Sequence, residues 1–226
     1  MQQQLVLPIS WSFSKEASGY VVTECNEYAV KWLEKWPFQS RGNFVCLVGE
    51  KGAGKTHLAT LWATRQNAEI INTTDEVFSK WYNISLEKTQ QKYFVLDDAD
   101  ELKDDVLLFY IYNTIQSQNA YLLMTAKTYP CTWHLELDDV KSRLATVNVI
   151  RIQRPTEAAM NSIIERMLLQ RGIRTTPAIT EYIANRIERS YESINYWISR
   201  IDHHLISKKA KASINNIKYL WMPAAE

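Results

Sequence analysis

The chain has 226 residues, and its 26 Lys plus Arg against 25 Asp plus Glu leave a net charge of +1. That length accommodates one α/β domain with a small companion, and the balanced charge gives no global electrostatic case for a dedicated nucleic-acid binder. No apolar run approaches the ~20 residues that span a bilayer. Met1-Gln2-Gln3-Gln4 lacks the basic and apolar regions of a secretory leader, and the scattered Cys25, Cys46 and Cys131 suit a reducing, cytoplasmic compartment. Cys131 and His134 have no second pair that would complete a four-ligand zinc site.

Residues 1–19 are polar except for Leu5-Val6-Leu7-Pro8-Ile9, and Gly19 to Trp36 reads as a helix stopped by Pro37. The apolar residues of the tail suit a pocket on a partner, or a strand or tail lying on the body of the protein. Phe44 to Val48 has the continuous apolar character of a buried parallel strand. It leads into Gly49-Glu50-Lys51-Gly52-Ala53-Gly54-Lys55-Thr56, a full match to the phosphate-binding pattern G-x-x-x-x-G-K-[ST]. Gly49, Gly52 and Gly54 let backbone N–H groups face a phosphate, Lys55 brings a cation to it, and the Thr56 hydroxyl can ligate Mg²⁺. The following helix, with Leu58, Leu61 and Trp62 on one side, points its positive dipole end at the same anion. A chance Gly-rich turn is the alternative.

Further strands are predicted at 69–72, 93–97, 121–125 and 147–152. A helix between them carries Leu102, Val106, Phe109, Tyr110 and Asn113 on one face. Strands alternating with helices argue an α/β fold built on a parallel sheet covered on both sides. Asp97 and Asp98 close an apolar strand, so Asp97 is placed to hold Mg²⁺ through water and Asp98 to polarise an attacking water. A solvated acidic turn would read the same way, since Asp100 and Glu101 follow. Thr125 ends the next strand, where a hydroxyl can orient water or a terminal phosphate or can simply end a strand. Arg143, in Ser142-Arg143-Leu144 on a short helix, suits either a finger inserted into a neighbouring subunit or a surface salt bridge.

Past Arg154-Pro155 the strand signals stop. Thr156 caps a predicted helix bearing Met160, Ile163, Ile164, Met167 and Leu168, which ends near Gly172. Pro177 opens a second helix with Ile179, Tyr182, Ile183 and Ile187, and a third carries Ile194, Trp197, Ile198, Ile201 and Leu205. Lys208, Lys209, Lys211 and Lys218 add local charge that is usually a solvated helix face.

Taken together these segments resemble the AAA+ ATPases, and more narrowly the DnaA group. Residues 52–58, Gly-Ala-Gly-Lys-Thr-His-Leu, are similar to that group's phosphate loop. Leu96-Asp97-Asp98 resembles its acidic strand end and Leu123-Met124-Thr125 its sensor 1 segment. Ser142-Arg143-Leu144 with Val147-Asn148-Val149-Ile150 resembles its arginine-finger helix and last strand. The resemblance covers about residues 20–210 and implies a P-loop AAA+ parallel sheet flanked by helices with a C-terminal helical lid. The implied division is a tail at 1–19, a base at 20–154 and a lid at 155–226. It also implies ADP or ATP with Mg²⁺, with Ala53 and His57 at the nucleotide.

The sequence stops at Glu226, without the domain-sized helix-turn-helix module that follows the lid in DnaA. Only about twenty residues separate the strands at 69–72 and 93–97, near the long end of ordinary connections. The initiator's single-strand-binding helix pair is therefore not expected. Within the group the chain resembles the Hda-type regulatory inactivators of DnaA. Gln4-Leu5-Val6-Leu7-Pro8, with Ile9, resembles the peptide by which such proteins dock on the polymerase III sliding clamp, the beta subunit. Glu192 stands where the group carries a sensor 2 arginine, and Arg189, one turn earlier, is the candidate substitute. The resemblance implies DnaA and the clamp as partners, a homodimer as a further option, no membrane and no strong direct DNA binding. The rivals are an autonomous P-loop ATPase such as a DnaC-like helicase loader, and a nucleic-acid-binding ATPase.

Overall fold

The computed structural model describes residues 20–38, 42–72 and 91–221. Five strands, β1 (Phe44–Val48), β2 (Glu69–Asn72), β3 (Tyr93–Asp97), β4 (Tyr121–Ala126) and β5 (Asn148–Arg151), form one sheet in the order β2-β3-β4-β1-β5. Every pairing is parallel. β1 lies between β4, with Phe44 opposite Leu122, and β5, with Val45 opposite Asn148. All five residues of β1 are buried. Successive side chains point to opposite faces, so Phe44, Cys46 and Val48 enter one core while Val45 and Leu47 enter the other.

Helices α1 (Glu27–Lys35) and α2 (Lys55–Gln66) cover the face of Val45 and Leu47 with Leu33, Leu58 and Trp62. Trp36 stacks on Trp62 with ring centres 4.8 Å apart, a pair worth about 0.5–1.5 kcal/mol beyond its burial. Helices α3 (Asp105–Ser117) and α4 (Asp138–Leu144) cover the other face with Leu107, Ile111, Ile115, Val140 and Leu144. A third core joins α5 (Glu157–Gln170), α6 (Pro177–Ala184), α7 (Tyr191–Lys208) and α8 (Ile214–Ile217) to Val21 and Cys25. The expected caps are present: the Thr156 hydroxyl accepts from the N–H of Ala159, Pro177 opens α6, and Gly172 takes φ +73° just past α5.

Three expectations are corrected. The helix predicted from Gly19 to Trp36 begins only at Glu27. Val21, Val22 and Thr23 favour extended backbone, and the Asn26 carboxamide accepts from the N–H of Thr23 while donating to the carbonyl of Val21, fixing a turn ahead of the helix. In α3 the inward stripe is Leu107, Leu108, Ile111 and Ile115, and Val106 is 65% exposed. Leu102 precedes the helix, whose cap is Asp104, so a helical phase counted from Leu102 is out of step. Ile187 likewise falls beyond the end of α6.

Candidate nucleotide site

The loop between β1 and α2 occupies the carboxyl end of the sheet. The Gly49 N–H donates to the Ala126 carbonyl, and a Cβ on Gly49 would stand 2.5 Å from the Ile152 carbonyl oxygen, closer than any side chain can sit. Gly52 has φ +75°, and its Cβ would meet Ser190 at 2.6 Å, so glycine is required both for the turn and for the approach of α7. Ala53 is fully buried behind the loop.

The Lys55 side chain is buried, and its ammonium donates to the carbonyls of Gly49 at 2.8 Å and Glu50 at 3.2 Å. Burial pulls its pKa down, an effect opposed by the carboxylates of Asp98, Asp100 and Asp97 and reinforced by Lys127. The Thr56 hydroxyl lies 3.1 Å from both oxygens of Asp97. Thr125, wholly buried, donates to Asp97 Oδ1 at 2.6 Å and accepts from the Asp98 N–H at 2.8 Å. Its hydroxyl is thus committed to the Asp97 carboxylate and the Asp98 backbone, an arrangement that suits positioning of the acidic strand end. Asp98 adopts the left-handed conformation at φ +49°.

Lys55, Thr56 and Asp98 border a cleft of about 760 Å³. Lys51, Lys55, Lys127, Asp98, Glu101 and Glu192 supply its charges, and Thr56, His57, Tyr191 and Asn195 further wall it. The start of α7 is tied to the loop. The Tyr191 N–H donates to the Gly52 carbonyl at 2.7 Å, and Lys51 pairs with Glu192 at 3.7 Å. His57 meets Tyr20 edge-on at 5.1 Å, and Tyr20 stacks on Tyr191. Burial raises both phenols, Tyr191 to about 12.

The structure therefore brings together Gly49, Gly52, Ala53, Gly54, Lys55, Thr56, His57, Asp97, Asp98 and Thr125. Arg189 does not line the cleft and lies 3.4 Å from Glu157. Arg143 also lies apart from it. Its guanidinium sits over Phe109 at 4.8 Å and Tyr112 at 5.1 Å, donates to Asn113 Oδ1 at 2.6 Å, and pairs with Asp139 at 2.9 Å. Gln4, Leu5, Leu7, Pro8 and Ile9 lie outside the described residues. Sequence reasoning missed Lys127, Tyr20 and Tyr191. Lys127 had a signal, since it immediately follows β4 at the carboxyl end of the sheet.

Burial raises the Asp98 pKa, with Asp97 and Glu101 adding to the rise and Lys127 and Lys55 opposing it. A carboxyl whose folded pKa exceeds its unfolded value is most compatible with the fold when protonated, so its ionisation costs stability as pH rises. Asp98→Asn is therefore expected to raise the melting temperature near pH 7. The gain should shrink as pH falls into the ordinary carboxylate range, about 4. Thermal melts of both proteins across that range test this, and a constant or inverted difference would contradict it.

The donor set suits a magnesium nucleotide. Thr56 and Asp97 offer hard oxygens, and among the described residues no cluster of three or more His, Cys, Asp or Glu forms a metal cage of its own. A cation held by one hydroxyl, one carboxylate, water and a ligand's phosphates needs no such cage.

No protein-family model matches the chain. It is 22% identical over 230 residues to an uncharacterized protein of Haemophilus influenzae, covering 96% of this chain and 98% of that protein. It is 27% identical over 233 residues to the chromosomal replication initiator DnaA of Campylobacter jejuni, covering 94% of this chain. The chain spans 50% of the length of that initiator. Domain III of Thermotoga maritima DnaA superposes with a TM-score of 0.74 at 16% identity, covering 90% of this chain and 93% of that domain. AMPPCP-bound DnaA of Aquifex aeolicus superposes with a TM-score of 0.68 at 18% identity, over 84% of this chain and 66% of the other. The chain resembles the DnaA group in sequence and has its P-loop AAA+ fold, a five-stranded parallel sheet flanked by helices.

Proposed function

We propose that the chain is an adenine-nucleotide-binding regulator of the Hda type, which joins the sliding clamp to DnaA and promotes hydrolysis of DnaA-bound ATP, limiting re-initiation of replication in the cytoplasm. The observation that carries the nucleotide reading is the convergence of Lys55, Thr56 and Asp97 behind a full phosphate loop at the carboxyl end of a parallel sheet. In that reading Lys55 and the loop N–H groups hold the phosphates, and Thr56 with Asp97 holds Mg²⁺, which supplies charge neutralisation at the phosphates. His57 and Tyr191 border the same cleft, with Tyr20 packed behind both. ADP and ATP both fit this donor set.

The regulatory reading is supported by Glu192. The first turn of α7 presents a carboxylate to the cleft where the resemblance expects a cation, which favours an adapter over a robust ATPase. The helices α5 to α8 serve as a lid over a base at 20–154, and Arg143 completes the ATP site of a bound DnaA. A pulldown with sliding clamp and DnaA, with and without ADP, tests the assembly. Vigorous ATP turnover by the chain alone, with no capture of either partner, would instead favour an autonomous ATPase.

The clamp tether rests on the composition of the tail. Burying two apolar side chains such as Leu5 and Leu7 in partner pockets supplies about 3–6 kcal/mol before ordering costs. A weak tether is the result, strengthened by avidity if the chain is a dimer. Gln4→Ala with Leu7→Ala is expected to abolish clamp capture and leave the melting temperature unchanged. Lost stability with undiminished capture would make the tail structural.

A further inference from the structure

We propose that a cationic cleft at the far end of the C-terminal helices docks an acidic peptide segment that carries an apolar side chain. The cleft, about 640 Å³, forms where the ends of α5 and α7 meet the strand of chain leading to α8. Arg171, Arg174, Lys209 and Lys211 line it against a single carboxylate, Asp202. Arg171 is already engaged, 3.8 Å from Asp202 and 3.3 Å from the Met167 carbonyl. The side chains of Arg174, Lys209 and Lys211 have no hydrogen-bond or ion-pair partner among the described residues. In a protein of net charge +1, three uncompensated cations around one concavity are a local excess.

The helix dipole does not account for them all. Lys209 caps α7, where a cation is favoured, but Arg174 and Lys211 lie beyond the last turns of α5 and α7, and the effect fades within a turn. Nor do Lys209 and Lys211 belong to a solvated helix face, as the sequence alone suggests.

The lining decides the class of ligand. Ile173 and Leu205 contribute apolar surface, and Ile206 at the edge is 68% exposed. A nucleic-acid backbone makes no use of an apolar concavity, and the lining holds no aromatic ring on which a base could stack. An apolar anchor flanked by carboxylates uses every feature: the side chain enters the cleft and the carboxylates meet the rim, which sets register and specificity. The lining shares no residue with the nucleotide cleft, so the site stands independently of the proposed function.

A random peptide library selected on the full-length chain, with the Lys209→Glu, Lys211→Glu double variant for counter-selection, tests the proposal. Enriched peptides are expected to combine acidic residues with an apolar one. Fluorescence anisotropy should show them binding about tenfold or more weakly to the double variant, as expected for reversed rim charges, and weakly to Ile206→Asp. Lys103→Glu serves as a charge control and should bind normally, with melting temperatures verifying that each variant is folded. Enrichment without acidic bias, or peptides indifferent to the double variant or to Ile206→Asp, would overturn the proposal. So would a single-stranded oligonucleotide that outcompetes the peptides and is lost in the same variants.

Discussion

Lys55→Ala is expected to weaken adenine-nucleotide binding by roughly a hundredfold or more, since charge-assisted hydrogen bonds to phosphate are worth about 1.5–3 kcal/mol each and tenfold in affinity is about 1.4 kcal/mol. The structure explains why no neighbour can compensate. Lys55 is buried beneath the loop with its ammonium on the carbonyls of Gly49 and Glu50, so its position is set before any ligand arrives. Lys51 and Lys127, the other cations of the cleft, are drawn toward Glu192 and Glu101. The fold should survive, because the substitution removes the cost of burying the ammonium together with its attraction to Asp98 and Asp97. Calorimetry with magnesium nucleotide gives the answer, and equal affinities for the two proteins would remove the nucleotide site from consideration.

On the proposed regulatory function, Arg143→Ala is expected to reduce the stimulation of DnaA-bound ATP hydrolysis by about a thousandfold, the effect of losing an arginine finger. The chain's own nucleotide affinity should not change, because Arg143 is not part of its cleft. The seat of Arg143 holds the side chain in a part-buried cradle, so a finger role requires the partner to displace it. Its cation–π contacts contribute about 0.5–1 kcal/mol each or more for a part-buried cation, the ion pair with the exposed Asp139 roughly 0–1 kcal/mol, and the charge-assisted hydrogen bond to Asn113 about 1.5–3 kcal/mol. Arg143→Lys should fail almost as fully, since an ammonium cannot reproduce the planar fork. Phosphate release from DnaA at saturating partner reports the outcome, and stimulation at the wild-type rate by Arg143→Ala would end the finger assignment.

The features legible in the sequence are those encoded over short spans. The phosphate loop, the five strands, the Thr156 cap and Pro177 at the start of α6 each depend on a handful of consecutive residues, and the strand positions hold to within a residue or so. Asp97 and Asp98 were visible because an apolar strand ends in them. What sequence did not reveal depends on long-range meetings. Nothing local to Tyr20 or Tyr191 says that they stack, yet Asn26 joins the two segments by donating to the Tyr191 hydroxyl at 2.8 Å. The phase of α3 was lost because Leu102, apolar and suitably spaced, lies outside the helix. The cradle of Arg143 draws on Phe109, Tyr112 and Asn113, about thirty positions away along the chain.

The hydrogen bond from Tyr191 to Gly52 also has a mechanical consequence. Tyr191 is the first residue of α7, an 18-residue helix, so the loop grips one end of a rod about 27 Å long at 1.5 Å per residue. Lys208 and Lys209 ride on the other end. Pivoting that rod by about 10° at the loop swings its tip by roughly 5 Å, more than the spacing between neighbouring Cα atoms. Because α7 packs with α5 and α8 in one core, a shift of the loop that turned the helix would carry those helices with it and displace the far end of α7 most.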